Sequence, residues 1–173
     1  AGLLPRGVFA LEAWQPLWQK GHRTFKWKMG LGAVEQEIEI FRQLLDQLPP
    51  EAKLRLDANG TLNLEQAQRW LEVCDPQRVE FLEQPLPPDQ QEALLQLATN
   101  APIPIALDES VCTLADLEAW MPQWPGIFVI KVPLLGFPQE ARSALEQHRS
   151  LDLVFSSVLE TAIARRVSLS FAQ

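Results

Sequence analysis

The sequence predicts an α/β fold of the (β/α) barrel type, for two reasons. Apolar runs of strand length alternate with segments of helical periodicity along most of the chain. Five runs also close in a charged phrase at intervals of about 25 positions, near the roughly 30 residues that one βα unit of such a barrel occupies. The phrases are Lys26-Trp27-Lys28, Leu56-Asp57-Ala58-Asn59, Leu82-Glu83-Gln84-Pro85, Leu107-Asp108-Glu109-Ser110 and Ile130-Lys131. Because the C-terminal strand ends of these barrels build the active site, the pattern predicts an enzyme.

The strands are predicted from runs of β-branched and large apolar residues that end in polar clusters. Six such runs occupy residues 24–29, 53–57, 79–83, 103–108, 127–132 and 151–156. The opening Gly2–Leu4 adds a short seventh strand. Strand–helix alternation with short connections predicts that these strands lie parallel, with right-handed crossovers.

The helices between the strands are predicted from apolar periodicity and from start signals. Apolar residues step by four and three positions from Val34 to Leu48, with glutamates on the opposite face. A final helix is predicted from about Thr161 to the end of the chain. The other helices are marked at their starts by Asn63, by Asp89 with Glu92 as a capping box, by Thr113 with Asp116, and by Pro138 in a first turn.

The predicted organisation is one catalytic domain, residues 1–173, forming a partial barrel. No low-complexity linker or basic block interrupts the chain. Seven strands suit an open sheet, whereas a closed barrel needs an eighth that this sequence does not supply.

Composition excludes several classes of function. A net charge of −7 over 173 residues argues against a nucleic-acid partner. No apolar run reaches the 18 or more residues that a membrane span needs, and the start lacks the pattern of a signal peptide. Gly30-Leu31-Gly32 lacks the third glycine of a dinucleotide-binding loop. Cys74 and Cys112 show no metal-ligand spacing, so a reducing, cytoplasmic compartment is expected.

Lys26 and Lys28 are the first candidate site residues. Standing two apart on a strand, they point to the same face, which in a barrel is the interior. Repulsion between adjacent ammonium groups lowers the pKa of at least one of them, and such a lysine can act as a general base. The alternative is an exposed strand edge where both charges are merely solvated.

Asp57, Glu83 and Asp108 are single carboxylates at the ends of three consecutive predicted strands. Carboxylate oxygens suit a hard cation such as Mg²⁺, and three converging carboxylates without a cation would repel one another. For each residue alone, a strand-end carboxylate that caps a helix is the competing interpretation. For the three together, a metal site is favoured.

Lys131, Arg55 and the serine pair complete the candidates. Lys131 lies in an apolar strand and needs either a function or a partner, the alternative being a structural ion pair with one of the carboxylates. Arg55 shares the inward face of Asp57, where it could bind a substrate carboxylate or pair with the metal carboxylates. Ser156 and Ser157 could hold an anionic group, although serines at a strand end are ordinary.

Taken in order, these phrases resemble the enolase superfamily, specifically its muconate-lactonising subgroup. The resemblance extends over nearly the whole chain, and five motifs in order at barrel spacing make it specific. Within the subgroup, four longer phrases most resemble the o-succinylbenzoate synthases, cyanobacterial type. These are Leu3-Leu4-Pro5, Leu54-Arg55-Leu56-Asp57-Ala58-Asn59, Ile130-Lys131-Val132-Pro133 and Phe155-Ser156-Ser157-Val158-Leu159-Glu160-Thr161.

The resemblance implies a role for each candidate residue. Lys28 would remove the proton α to the substrate carboxylate and return it to the departing hydroxide in a syn elimination of water. Lys131 would stay cationic on the opposite face, while Lys26 would tune Lys28. The product would be o-succinylbenzoate, made from a succinyl-hydroxycyclohexadiene carboxylate on the way to menaquinone or phylloquinone. The implied ligands are Asp57, Glu83 and Asp108 for Mg²⁺, with Mn²⁺ as the alternative cation, and Arg55, Asn59, Ser156 and Ser157 for the substrate.

The sequence departs from the subgroup in two respects. Family members carry an N-terminal α+β capping domain over the barrel mouth, and they have an eighth strand. We therefore expect the full-length protein to be larger and to include the capping domain. Rival functions are dipeptide epimerase or N-succinylamino-acid racemase within the superfamily, and a non-catalytic binding barrel outside it.

Overall fold

The computed structural model describes residues 1–147, 151–158 and 162–171. It divides into two compact units, Ala1–Ile105 and Ala106–Gln173, with the boundary inside a strand. The predicted organisation as one domain over residues 1–173 stays a prediction.

The first unit alternates strands and helices. Its elements are β1 (Gly2–Leu4), α1 (Ala10–Gln19), β2 (Thr24–Lys28), α2 (Val34–Gln47), β3 (Lys53–Asp57), α3 (Leu64–Val73), β4 (Val79–Glu83) and α4 (Gln91–Asn100). The strands are ordered β1-β2-β3-β4, and each adjacent pair is parallel. In the β2–β3 register, Lys26 stands opposite Arg55 and Lys28 opposite Asp57.

The second unit continues the same alternation. Its elements are β5 (Ile105–Leu107, which begins at the boundary), α5 (Leu114–Trp120), β6 (Ile127–Ile130), α6 (Pro138–Gln147), β7 (Leu153–Phe155) and α7 (Ala162–Phe171). Strands β5, β6 and β7 are neighbours in that order and pair in parallel. The predicted α/β fold with seven strands in a parallel sheet is therefore confirmed for the described part of the chain.

The core of the first unit forms on one face of the sheet, because side chains alternate along each strand. Phe25 and Trp27 of β2 are fully buried, whereas Lys26 between them points to the opposite face. Trp70 of α3 packs edge-on against Trp27 and Phe41, with ring centroids 6.2 and 5.5 Å apart. Burial of the two β2 aromatic side chains on one face thus directs Lys26 and Lys28 to the other face.

Two of the predicted helix starts are confirmed as capping boxes. The Asn63 side chain accepts from the backbone N–H of Gln66, and Thr113 does the same for Asp116. Each cap satisfies backbone donors that the first helical turn leaves without partners. Val34 and Pro138 also begin helices as predicted.

The predicted capping box at Asp89 is wrong. Helix α4 begins at Gln91, after Gln90, and Gln90 makes no side-chain cap. The N–H of Gln90 donates to the carbonyl of Pro87, 3.1 Å away, so Asp89 lies inside a turn. The turn displaces the helix start beyond the position that a capping aspartate would occupy.

Helix α1 was not predicted from the sequence. It contains Pro16, a residue that normally interrupts a helix, and only Ala10 of its residues is fully buried. A short 3-10 turn, Gly7–Phe9, leads into it. The proline and the weakly buried face hide the helical period.

The later strands are shorter than predicted. β6 ends at Ile130, and Lys131 precedes a 3-10 turn over Val132–Leu134. β5 and β7 each contain three residues. Pro104 and Pro133 lie just outside β5 and β6, where each lacks the N–H that a strand ladder requires.

Among the described residues, we find no helix with the length and apolar character needed to cross a bilayer.

Candidate active site

Three turns follow β2, β3 and β4, at residues 29–32, 58–62 and 84–86, and main-chain hydrogen bonds connect them. The N–H of Met29 donates to the carbonyl of Asp57 at 2.9 Å. Ala58 N–H donates to Glu83 O at 3.0 Å, and Gly60 N–H to Gln84 O at 2.7 Å. We call these the strand-end turns. They hold the ends of three strands in a fixed relation without using the charged side chains.

Lys26 lies between two buried carboxylates. Its ammonium nitrogen Nζ is 2.9 Å from Asp57 Oδ2 and 2.6 Å from Glu83 Oε1. Both carboxylate side chains are at most 2% exposed, and that of Lys26 is 15% exposed. Two carboxylates this buried require close compensation, and the Lys26 ammonium supplies one positive charge against their two negative ones.

The environment of Lys26 raises its pKa. Burial alone would lower the pKa by penalising the ammonium, but the charges and hydrogen bonds of Glu83 and Asp57 outweigh that effect. Repulsion between the two lysines was expected to lower the pKa of at least one of them. Lys26 is not that lysine, because its pKa is raised. The predicted alternative of two merely solvated lysines does not apply to Lys26, which is mostly buried between acids.

Lys28 is more open than Lys26. Its side chain is 44% exposed, and Nζ donates to Asn59 Oδ1 at 2.8 Å and lies 3.6 Å from Asp57 Oδ2. Asn59 has a positive φ of 47° and its N–H donates to Asp57 Oδ1 at 3.1 Å. The turn after β3 thus folds Asn59 back so that its amide oxygen meets the Lys28 ammonium.

The donor set in the first unit fits a hard divalent cation. Oxygens of Asp57 and Glu83 converge on one position that already holds a positive group, the ammonium of Lys26. Carboxylate oxygens are the ligands that Mg²⁺ prefers. Within the ranges that the structure describes, no three His, Cys, Asp or Glu side chains form a preassembled metal cluster. The metal-ligand assignment of Asp57, Glu83 and Asp108 stays a prediction.

The second unit contains one charged pair of the predicted site. Lys131 forms an ion pair with Oδ1 of Asp108, and their side chains are 20% and 5% exposed. This contact is the structural ion pair that the sequence left open as the alternative for Lys131. The catalytic role of Lys131 stays a prediction.

Arg55 makes a different contact from those expected. Its Nε donates to Glu80 Oε2 at 2.6 Å, and its guanidinium carbon lies 5.0 Å from the Phe81 ring centroid. A bulge between β3 and β4 places Phe81, not Glu80, opposite Arg55 in the register. Glu80 thus neutralises Arg55. The role of Arg55 in substrate binding stays a prediction.

The serine pair closes β7 with little burial. Ser156 N–H donates to the carbonyl of Ile130 at 2.9 Å, which ties this end of β7 to the end of β6. Ser157 is exposed. Both residues lie at the predicted strand end, and their role in anion binding stays a prediction.

The sequence did not predict the contacts of two polar residues around the first strand-end turn, Glu37 and Thr61. Glu37 of α2 accepts hydrogen bonds from the N–H groups of Gly30 and Gly32, and the Thr61 hydroxyl contacts the carbonyl of Gly30. Glu37 looked like one of several glutamates on a solvated helix face. The available signal was its place one turn into a helix that follows a Gly-x-Gly loop.

Alternating strands and helices, with lysines and buried carboxylates at the strand ends, are the arrangement from which enzymes of the (β/α) barrel class build their active sites. Residues 10–172 match the family model described as Enolase C-terminal domain-like. The chain belongs to this family, which confirms the superfamily that its motifs indicated.

Individual relatives agree with this membership. The chain is 50% identical over 171 residues to the o-succinylbenzoate synthase of Thermosynechococcus vestitus (strain NIES-2133 / IAM M-273 / BP-1), covering 94% of this chain and 52% of the relative. It is 28% identical to muconate cycloisomerase 1 of Rhodococcus opacus, covering 99% of this chain and 47% of the relative. The chain thus spans about half the length of these curated relatives, both of which are named as enzymes.

A solved structure gives the same result for the fold. The o-succinylbenzoate synthase from Thermosynechococcus elongatus BP-1, complexed with Mg in the active site, superposes with a TM-score of 0.89. The sequence identity is 48%, and the match covers 97% of this chain and 54% of that one. The predicted barrel-type fold and the resemblance to o-succinylbenzoate synthases are therefore confirmed.

Proposed function

We propose that this chain is the barrel segment of an o-succinylbenzoate synthase. The reaction is the Mg²⁺-dependent syn dehydration of 2-succinyl-6-hydroxy-2,4-cyclohexadiene-1-carboxylate to o-succinylbenzoate, on the way to menaquinone or phylloquinone. The observation that carries the proposal is the placement of Lys28. Its ammonium is accessible at a strand end, beside a buried carboxylate, in a chain half identical to a named synthase.

Lys28 acts as both base and acid in this proposal. As a free amine it takes the proton from the carbon next to the substrate carboxylate, which breaks that C–H bond. The C–O bond to the ring hydroxyl then breaks, and the same proton goes from Lys28 to the departing oxygen to form water. One lysine on one face therefore accounts for a syn elimination that leaves an aromatic ring.

The cation would be held by the strand-end carboxylates. Asp57 and Glu83 supply the converging oxygens described above, and Asp108 is assigned as the third ligand by the family resemblance. When bound, Mg²⁺ would stabilise the negative charge that develops on the substrate carboxylate. Lys26 keeps its positive charge because of its raised pKa, and it would limit repulsion between the carboxylates.

The remaining assignments follow the resemblance. Lys131 would present a cation to the opposite face of the substrate, and Asn59 would orient Lys28 or the substrate. Arg55, Ser156 and Ser157 would contact the succinyl and carboxylate groups. A capping domain in the full-length protein would close over the substrate, and the protein would work in the cytoplasm.

The test uses the complete protein that contains this chain, supplied with the cyclohexadiene substrate and Mg²⁺. We expect formation of the aromatic product, followed by its ultraviolet change. Lys28→Ala should lower kcat by about 10²-fold or more, as loss of a general base does. Lys20→Ala, which changes an exposed lysine outside the site, is the matched control.

Other outcomes would redirect the assignment. Turnover of L,L-dipeptides or N-succinylamino acids without dehydration would identify an epimerase or racemase. Dehydration that survives thorough chelation, confirmed by metal analysis, would refute the role given to Mg²⁺. Near-full activity of Lys28→Ala would refute the role given to Lys28.

A further inference from the structure

Beyond Met29, whose side chain is buried, the loop that follows Lys28 has no side-chain anchor of its own. It consists of Met29 and then Gly30-Leu31-Gly32, in which two residues lack side chains and Leu31 is 60% exposed. Glycines lose the most conformational freedom when ordered, so such a loop requires restraint from outside. Its position matters because it continues directly from the residue assigned as the base.

Glu37 supplies that restraint from the first turns of α2. Its Oε2 accepts from Gly30 N–H at 2.8 Å, and its Oε1 accepts from Gly32 N–H at 3.2 Å. The N–H of Leu31 also points to Oε1, at the longer distance of 3.4 Å. Hydrogen bonds from backbone N–H groups to an ionised carboxylate are stronger than neutral ones. One half-buried side chain therefore holds three successive peptide groups.

The other side of the loop is tied to the turn after β3. The Thr61 hydroxyl lies 2.8 Å from the carbonyl of Gly30 and 2.7 Å from that of Ala58, so its single proton is shared between the two. Met29 N–H donates to Asp57 O. The loop is thus held between Glu37 and the turn that presents Asn59 to Lys28.

We propose that Glu37 is a positioning residue for Lys28, acting through the loop 29–32; this rests on the proposed function, in which Lys28 is the base. Lys26 is held by two carboxylates at short distance, whereas Lys28 is 44% exposed and contacts Asn59 and, more distantly, Asp57. The orientation of Lys28 therefore depends more on the backbone that follows it. Glu37 fixes that backbone without contacting the substrate or the reacting atoms.

The test compares Glu37→Ala and Glu37→Gln with Glu39→Ala in the complete protein. Glu39 lies on the same helix, is exposed, and contacts only Arg42 and Gln43 among its described polar partners. Hydrogen exchange is read at the amides of residues 30–32, with the amide of Met29 as an internal reference. We expect Glu37→Ala to raise exchange at 30–32 at least about tenfold, because those amides lose their acceptor. Glu37→Gln should give a smaller rise, and Glu39→Ala none.

Steady-state kinetics separates positioning from simple destabilisation. In Glu37→Ala, kcat should fall about tenfold with KM nearly unchanged, since misplacing a reacting group costs up to about 100-fold. Partial recovery of kcat in Glu37→Gln supports the proposal. Unchanged exchange at 30–32, or raised exchange with wild-type kcat, overturns it.

A second readout keeps this test separate from the proposed function. The side-chain NMR signal of Lys28, assigned by its loss in Lys28→Arg, is compared between the variants. If the parent protein does not dehydrate the substrate, the proposed function has failed. The Lys28 signal alone then decides whether Glu37 positions Lys28. A shift in Glu37→Ala but not in Glu39→Ala supports positioning, and an unshifted signal overturns it.

Discussion

Lys26 and Lys28 stand two positions apart on one strand, yet their surroundings differ sharply. Lys26 forms ion pairs with both Asp57 and Glu83, while Lys28 reaches past Asp57 to the amide oxygen of Asn59. The difference follows from depth along the strand, because Lys28 stands at the strand end beside the turns. Identical side chains on the same face thus acquire different partners.

Removing the charge of Lys26 should reveal the repulsion between its two carboxylates. Lys26→Met keeps most of the side-chain stem and leaves Asp57 and Glu83 facing each other. We expect the free energy of unfolding to fall by about 3 kcal/mol in metal-free buffer, as for other broken buried ion pairs. Because a bound cation would replace the lost charge, saturating Mg²⁺ should recover much of the loss. Denaturant unfolding of the complete protein with and without Mg²⁺ measures both effects.

The matched control for this experiment is Lys20→Met, at an exposed position. It should change stability by no more than about 0.5 kcal/mol, as surface substitutions usually do. An equal loss for Lys26→Met with and without Mg²⁺ would show that the two carboxylates do not bind the cation.

The buried thiol of Cys74 predicts a loss of stability at high pH. Burial raises its pKa from 9.0 to about 12. Below pH 9 the thiol is protonated in both the folded and the unfolded state, so its ionisation does not change the free energy of unfolding. Between about pH 9 and 12 only the unfolded state ionises, which favours unfolding. Denaturant unfolding from pH 8 to 10.5 should therefore show a smaller decline for Cys74→Ala than for the parent. Parallel declines in the two proteins would contradict this assignment.

At the scale of elements, the sequence predicted most strands because each ends in a charged cluster. β3 and β4 have the predicted bounds. Helix α1 was missed because Pro16 breaks its pattern, and the start of α4 was misplaced because a turn follows Pro87. In the first case a proline conceals the helical period, and in the second a local turn moves the helix start beyond the expected cap.

Gly30 allows a stability test of the first strand-end turn. Its φ is +89°, and a Cβ added there would lie 2.5 Å from Thr61 Oγ1. Gly21 has a similar φ of +94° with no atom within 4 Å of the added Cβ. Gly21→Ala should therefore cost about 1–2 kcal/mol of stability for the backbone conformation alone. Gly30→Ala should cost at least about 1 kcal/mol more, because Thr61 must also move.

Thermal and denaturant unfolding of the two alanine variants measure this difference. Combining Gly30→Ala with Thr61→Ala should remove the larger steric part of the cost and leave the contact with Leu62 Cδ2 at 3.2 Å. Equal losses for Gly21→Ala and Gly30→Ala would show that the turn adapts around Thr61 without strain.

For the molecule as a whole, the sequence predicted the superfamily but not the contacts. The order of Lys-x-Lys, the three carboxylates and Lys131 sufficed for the family, which residues 10–172 confirm. Partners could not be predicted for Arg55, which pairs with Glu80 across a bulge, or for Glu37, which reaches back to a glycine loop. Such partners depend on register and on loop geometry, which short motifs do not encode.

The hydrogen bonds that join the strand-end turns also bear on how this scaffold could acquire a new substrate. They run between main-chain groups such as Met29 N–H with Asp57 O and Gly60 N–H with Gln84 O, so exposed side chains there can be exchanged without losing them. A mutagenesis library should therefore randomise exposed positions on these turns, such as Leu31, and leave Gly30 and Gly60 unchanged. Variants with altered specificity could then be selected while the main-chain hydrogen bonds keep the turns in the same geometry.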